Sequence, residues 1–250
     1  MHATDTRTLY LDLMERTLLG LVYEDRPNDP WTGGVFNPAL RRDGRDWPSQ
    51  AHSMIGELRM HNLRMLCEDV LARDVPGDFI ETGVWRGGAC ILMRAALAAY
   101  GDTQRRVWVC DSFEGLPPPD PVNYPQDAGD QHATYEQLSV SLEQVQSNFA
   151  HYGLLDEQVR FLKGWFKDTL PAAPISALSI LRVDGDMYQS TMEAMEALYP
   201  KLSVGGYVII DDIGAVAACK QAVIDFRRRH GVTDEVVGID WTGAYWRKSR

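Results

Sequence analysis

Two short acidic runs carry the densest chemical signal in this chain. Arg182-Val183-Asp184-Gly185-Asp186 ends one apolar run, and Ile209-Ile210-Asp211-Asp212 ends the next. If those runs are neighbouring strands, four carboxylates converge beyond their C-terminal ends, the edge at which open α/β sheets bind ligands. Like charges gathered in a partly desolvated cleft need a cation or a shared proton. A divalent ion is the simplest answer: hard cations such as Mg²⁺ take oxygen ligands octahedrally, and three monodentate aspartates leave about three positions for substrate oxygens and water. We place Asp184, Asp211 and Asp212 on the metal and Asp186 beside it as general base. A site of this kind suits an aliphatic hydroxyl, which loses its proton only when a metal lowers its pKa and a carboxylate takes the proton. The competing reading makes these acids solvated loop charges or helix caps.

A second group of residues points to a nucleoside. The run from Asp78 through Glu81, Gly83, Trp85 and Arg86 to Gly88 is an apolar strand that ends on an acid and passes through glycines into a helix. Glycines there let the backbone approach a ligand, and the helix start offers free N–H groups. The spacing Gly83-x-x-x-Gly87-Gly88 is not the G-x-G-x-x-G fingerprint, which counts against a nicotinamide oxidoreductase. Asp111, with Ser112 after it, closes the next strand, where a carboxylate reaches ribose hydroxyls; otherwise it caps the following turn. Gly164-Trp165-Phe166 follows a third strand, and its aromatics either stack on adenine or join the core. Ser53, before Met54, is a helix cap or a ligand contact. His132, in an acidic loop, is a rival base to Asp186.

These residues need a scaffold that puts strand ends side by side. Strands are expected over Asp78–Gly83, Val107–Ser112, Val159–Gly164, Leu178–Gly185 and Tyr207–Asp212. Helices are expected over Gly88–Tyr100, Tyr135–Tyr152, Ser190–Leu198 and Ala215–Gly231. This alternation predicts a doubly wound α/β fold with a mostly parallel sheet. Glu235–Asp240 and Ala244–Arg247 flank a Gly-containing turn and read as a C-terminal antiparallel hairpin. Residues 1–75 differ in character: a helix over Leu9–Tyr23, a Pro/Gly/Trp-rich stretch over Arg26–Pro48, and a helix over Met54–Arg73 with Leu58, Leu63, Leu66 and Val70 on its core face. We read 1–75 as a helical lid and oligomer-forming segment and 76–250 as the catalytic domain. The proline-rich loop Gly115–His132 is long enough to be functional.

Composition narrows the field. A net charge of -10 on 250 residues argues against binding a phosphate backbone. Cys67, Cys90, Cys110 and Cys219 lie scattered in apolar contexts, as reduced buried thiols do. No apolar run approaches membrane-spanning length, so a cytoplasmic protein without membrane partners is expected.

With these residues in hand, the sequence resembles the metal-dependent deoxysugar O-methyltransferases of antibiotic biosynthesis, typified by the macrocin, mycinamicin and novobiocin enzymes. The resemblance runs from Leu9-Tyr10-Leu11-Asp12-Leu13 through Ala51–Gly56, Glu81–Cys90 and Gly164–Thr169 to Asp211-Asp212. It implies a Rossmann-like class I methyltransferase fold, whose C-terminal strand inserts antiparallel, and a homo-oligomer that is at least a dimer. It implies S-adenosylmethionine and Mg²⁺ as cofactors, and methylation of a sugar hydroxyl on a glycosylated natural product. Family metal ligands fall on Asp184, Asp211 and Asp212, and a proposed base on Asp186. Cofactor contacts are expected at Ser53, Met54, Glu81, Gly83, Trp85, Arg86, Asp111, Ser112, Gly164, Trp165, Phe166 and Asp184. Ile213-Gly214 stands where several relatives have an aromatic first, a departure that bears on the acceptor pocket. Three carboxylates and Mg²⁺ leave about one negative charge, which the cofactor's sulfonium would balance. A catechol-type O-methyltransferase is the nearest rival, since a vicinal aromatic diol chelates Mg²⁺ as well.

Overall fold

The computed structural model describes residues 5–250. Its strands are β1 (Asp78–Thr82), β2 (Val107–Asp111), β3 (Val159–Lys163), β4 (Leu178–Val183), β5 (Leu202–Ile210), β6 (Val237–Gly238) and β7 (Ala244–Arg247). The α-helices are α1 (Thr6–Leu18), α2 (Pro38–Arg42), α3 (Gly56–Ala72), α4 (Gly88–Tyr100), α5 (Leu142–His151), α6 (Phe166–Thr169), α7 (Tyr188–Leu198) and α8 (Ala217–Arg229).

One sheet takes the order β3-β2-β1-β4-β5-β7-β6. The first five strands pair in parallel, and β7 runs antiparallel between β5 and β6. Both faces of the parallel strands are covered, so their residues alternate between two cores. Phe79, Val109, Ile180 and Ile209 pack with α1, α3 and α4, whereas Ile80, Trp108, Leu181 and Val208 pack with α7 and α8. The chain winds outward from β1 to β3, then crosses back to β4. The strand order therefore reverses between β1 and β4, where ligand crevices open in such sheets.

The expected strands and the closing hairpin are present, with informative differences at their ends. The fifth helix begins at Leu142, not Tyr135, because extended Ser141 caps it: its hydroxyl accepts from Gln144 N at 3.2 Å. Strand β5 begins at Leu202, five residues before Tyr207; it continues through Gly205 at φ 90°, where its register against β4 slips. The first helix spans Thr6–Leu18 and stops before Gly20, which is left-handed at φ 67°. On α3, Leu58 is 56% exposed, so it is not part of the core face expected of it. The buried face carries Met60, Leu63, Leu66, Cys67 and Val70 together with Arg59 and Arg64. Apolarity places Leu63, Leu66 and Val70 correctly but not Leu58, because the stripe is completed by arginines buried with charge partners: Arg64 Nη1 reaches Asp12 at 2.5 Å and Glu15 at 3.1 Å.

Helices α1 and α3 share a core with α4. The stretch between them is ordered around fully buried Arg41, which pairs with Asp46 at 2.7 Å and donates to the Leu19 carbonyl at 2.9 Å and the Asp25 carbonyl at 2.8 Å. All four cysteines are buried and free. Among the described residues no helix is long and apolar enough to cross a membrane.

Candidate active site

A cavity of about 630 Å³ opens across the C-terminal ends of β1 to β5. Each strand delivers chemistry on leaving the sheet: Glu81, Gly83 and Trp85 from β1, Asp111 and Ser112 from β2, Gly164, Trp165 and Phe166 after β3, Asp184 and Asp186 after β4, and Asp211 and Asp212 after β5. Ser53 and Met54 line it from the N-terminal segment. Arg86 does not reach this lining. Its guanidinium donates to the carbonyls of Pro48 and Ala51, both at 2.9 Å, and so ties α4 to the chain before α3.

The glycines of the β1–α4 turn make room for protein as well as ligand. Gly83 is left-handed at φ 85°, and a Cβ there would overlap the Asp184 backbone carbonyl. Gly88 packs against the His52 carbonyl and donates its N–H to it at 2.9 Å, so one of the N–H groups expected to be free at the helix start is already used. Asp111 accepts from Val84 N at 2.7 Å and Phe113 N at 2.8 Å. Oδ1 also accepts from Ser112 Oγ at 3.3 Å, so Oδ2 is the oxygen with a lone pair for a further donor. Burial raises the Asp111 carboxyl above its usual range, against these backbone donors.

The aspartates converge. One carboxylate oxygen from each of Asp184, Asp211 and Asp212 lies within 4.8 Å of the others. Asp212 Oδ2 is buried and accepts no hydrogen bond from any described residue. A buried carboxylate oxygen without a donor is costly, and a hard cation relieves it. Burial, and then the neighbouring carboxylates Asp186, Asp184 and Asp211, push Asp212 well up. The donor set thus fits a divalent ion. Asp186 is left-handed at φ 56°, an unusual state for a residue with a side chain. Burial pushes it up to about 7, with His132 working in the opposite direction.

Two arginines that the motif reading left without a role stand beneath this cluster. Arg182, 1% exposed, donates to Asp184 at 2.6 Å and also to Glu81 and Asp211. Arg59 donates to Asp240 at 2.9 Å and also to Asp211. The charge count based on three aspartates alone is therefore incomplete: two buried guanidiniums answer six carboxylates, those of Glu81, Asp184, Asp186, Asp211, Asp212 and Asp240. A divalent ion and a sulfonium still enter a negative site. Arg182 was legible as a charge embedded in an all-buried strand, a position that requires a partner. Arg59 was not, since nothing in a helix sequence names a carboxylate 152 residues away.

From the N-terminal segment, Trp31, Gly44, Arg45 and Trp47 line the side of the cavity next to Arg59 and Trp241. Trp31 and Trp47 meet edge to face at 4.8 Å, and Trp47 meets Tyr135 at 5.4 Å. Trp241 Nε1 donates to the Asp43 carbonyl at 2.7 Å, and Arg45 stacks 4.1 Å from the Trp241 ring. His132 also lines the cavity. Its Nδ1 lies 2.7 Å from Asp130, and because a carboxylate accepts, Nδ1 donates and Nε2 is left for the cavity.

A doubly wound sheet with β7 inserted antiparallel, and a cleft with acids at the β1, β2, β4 and β5 ends, define a class I methyltransferase. Comparison with known proteins makes the assignment specific: the family described as Macrocin-O-methyltransferase (TylF) matches residues 13–248, and the chain belongs to it. The chain is 54% identical to the 8-demethyl-8-(2,3-dimethoxy-alpha-L-rhamnosyl)-tetracenomycin-C 4'-O-methyltransferase of Streptomyces olivaceus, over 97% of this chain and 94% of that protein. It is 51% identical to the demethyldecarbamoylnovobiocin O-methyltransferase of Streptomyces niveus, again over 97% and 94%. The solved structure of the O-methyltransferase NovP superimposes with a TM-score of 0.93 at 51% identity, covering 98% of this chain and all of that one. The chain is an O-methyltransferase that uses S-adenosylmethionine and Mg²⁺.

Proposed function

We propose that this enzyme methylates one hydroxyl of a deoxysugar on a glycosylated natural product. The reading is carried by the convergence of Asp184, Asp211 and Asp212 beside Asp186 in one cavity, and supported by a relative whose name specifies a rhamnosyl-bearing acceptor. When bound, S-adenosylmethionine supplies the methyl group and the divalent ion supplies Lewis-acid polarisation of the acceptor hydroxyl. Asp184, Asp211 and Asp212 would hold the ion, and Asp186 would take the hydroxyl proton. Asp111 accepts from the ribose, while Ser53, Met54, Gly83, Trp85, Gly164, Trp165 and Phe166 line the cofactor part of the cavity. Arg182 and Glu81 hold the acidic floor in place. Trp31, Trp47 and Trp241 exclude water on the lid side. Exposed Leu9, Leu13, Leu58 and Met65, on α1 and α3, are proposed as the self-association surface of a homo-oligomer; sedimentation would read its stoichiometry.

One observation supports a second base. The Asp130–His132 hydrogen bond has the geometry by which a carboxylate orients a catalytic imidazole. Burial disfavours the charged ring, but the Asp186 and Asp130 carboxylates outweigh it and raise the His132 pKa. Asp186 is preferred as the base on position, since it follows Asp184 by two residues at the β4 end of the same cavity.

The deciding assay sets demethyldecarbamoylnovobiocin against catechol with labelled S-adenosylmethionine. Label in the glycoside supports the proposal; label in catechol alone overturns it. A chelator is expected to abolish transfer while cofactor affinity, read by calorimetry, changes less than about threefold, because the aspartates face the acceptor. Equal loss of cofactor affinity would contradict this arrangement. Asp111→Ala is expected to give the opposite pattern, with cofactor affinity about tenfold or more weaker and metal affinity unchanged, since charged hydrogen bonds of this kind are worth about 1.5–3 kcal/mol. An unchanged cofactor dissociation constant would remove Asp111 from the ribose.

A further inference from the structure

The loop over residues 115–132 joins the catalytic edge through a residue that the chemistry above does not use. Asp127 is 1% exposed although it lies in a loop rich in proline and acid. Its carboxylate accepts from Tyr188 N at 2.7 Å and from Gln189 N at 3.0 Å, the first two N–H groups of α7. The residue preceding that helix, Met187, offers no side-chain cap. A carboxylate at this end also meets the positive pole of the helix dipole. Asp127 thus caps α7 from 61 residues away in sequence.

The helix it caps begins two residues after Asp186, and its first turn places Gln189 and Ser190 in the cavity. On the other side, the Asp127 carbonyl accepts from Asp130 N at 3.1 Å. The Asp130 carboxylate in turn accepts from His132 N at 2.9 Å and His132 Nδ1 at 2.7 Å. An unbroken series of hydrogen bonds therefore runs from the first turn of α7, through Asp127 and Asp130, to the imidazole in the cavity.

We propose that Asp127 is a positioning residue for methyl transfer: it fixes the α7 first turn that follows Asp186 and, through Asp130, fixes His132 in the same cavity. Asp127 touches neither cofactor nor acceptor. It acts by holding two elements, distant in sequence, in the relative placement that proton removal requires. A displacement of about 1 Å in such a site is enough to cost on the order of 10²-fold in rate. The inference rests on the O-methyl transfer proposed above, but not on which of Asp186 and His132 is the base.

The test uses the full chain with Asp127→Ala and the conservative Asp127→Asn, whose amide oxygen still accepts one N–H. Hydrogen exchange should show faster exchange of the Tyr188 and Gln189 amides in Asp127→Ala, and ¹⁵N spectra of labelled histidine should show a displaced His132 signal. S-adenosylmethionine affinity should stay within about threefold of wild type. With demethyldecarbamoylnovobiocin, or with catechol if that is the acceptor used, kcat should fall about 10- to 100-fold with little change in acceptor KM. Asp127→Asn should recover part of that loss. A folded Asp127→Ala with normal α7 exchange and an unmoved His132 signal would overturn the proposal. So would a lower melting temperature with kcat per active site unchanged, which assigns Asp127 to stability alone. If Asp127→Ala does not fold, Asp127→Asn decides by the same exchange and kcat readouts. Transfer to catechol alone would defeat the sugar reading and leave the positioning result standing.

Discussion

Asp186→Asn is expected to lower turnover by on the order of 10²–10⁴ while metal, cofactor and acceptor still bind. An amide oxygen fills the same space and accepts a hydrogen bond, but it takes no proton. The left-handed backbone at Asp186 is tolerated by asparagine, so the exchange isolates the chemistry from the conformation. Asp212→Asn is the necessary contrast. Its Oδ2 is the buried oxygen without a donor, and replacing the carboxylate should weaken the metal itself. Calorimetric metal titration beside steady-state kinetics separates the two, because an affinity loss at either position otherwise imitates a chemical defect. Near-normal turnover in Asp186→Asn, with loss in His132→Gln, would transfer the base role to the imidazole that Asp130 orients.

Arg182→Met should lower stability by about 3–5 kcal/mol at neutral pH. The methionine fills much of the volume, so the deficit is mainly electrostatic. Glu81, Asp184 and Asp211 each lose a guanidinium partner at the ends of three neighbouring strands, β1, β4 and β5. The sign of the pH dependence follows from Glu81, which burial already pushes up to about 7 although Arg182 pulls it down. Removing Arg182 raises it further. A carboxyl whose folded pKa lies above its unfolded value contributes stability below the unfolded pKa, and that contribution is lost as pH rises through the folded one. The variant's deficit should therefore be smaller at pH 6 than at pH 8. Urea unfolding at both values, with the m-value unchanged, checks it. A pH-independent deficit under about 1 kcal/mol would mean that the acids are solvated and need no buried cation.

The strand-end acids were legible because apolar β-branched runs with terminal aspartates leave few alternatives once a parallel sheet is inferred. A chain that alternates such runs with helices must bring their C-terminal ends to one edge. Asp111, Asp184, Asp186, Asp211 and Asp212 could therefore be assigned to one cleft from spacing, and the closing hairpin from its glycine turn. Local capping was not read: α5 was expected from Tyr135 but starts after its cap Ser141, because a helix start is decided by one side-chain hydrogen bond that competes with the local propensity of its neighbours.

Only the tertiary structure decided which charges answer those acids and which surfaces are buried. Arg59 lies 152 residues from Asp211, Asp127 lies 61 from Tyr188, and Trp241 lies 198 from Asp43, separations at which no periodicity carries information. The same limit explains the two residues whose expected placement changed. Leu58 looked like core on apolarity, but α3 turns Arg59 and Arg64 inward because carboxylates wait for them there. Arg86 looked like a cofactor contact within its motif, yet the carbonyls of Pro48 and Ala51 hold it away from the cavity lining. Sequence fixes which groups can do chemistry at a strand end, since strand and loop are local; the partners that neutralise, cap and aim those groups come from distant segments, and only packing brings them together.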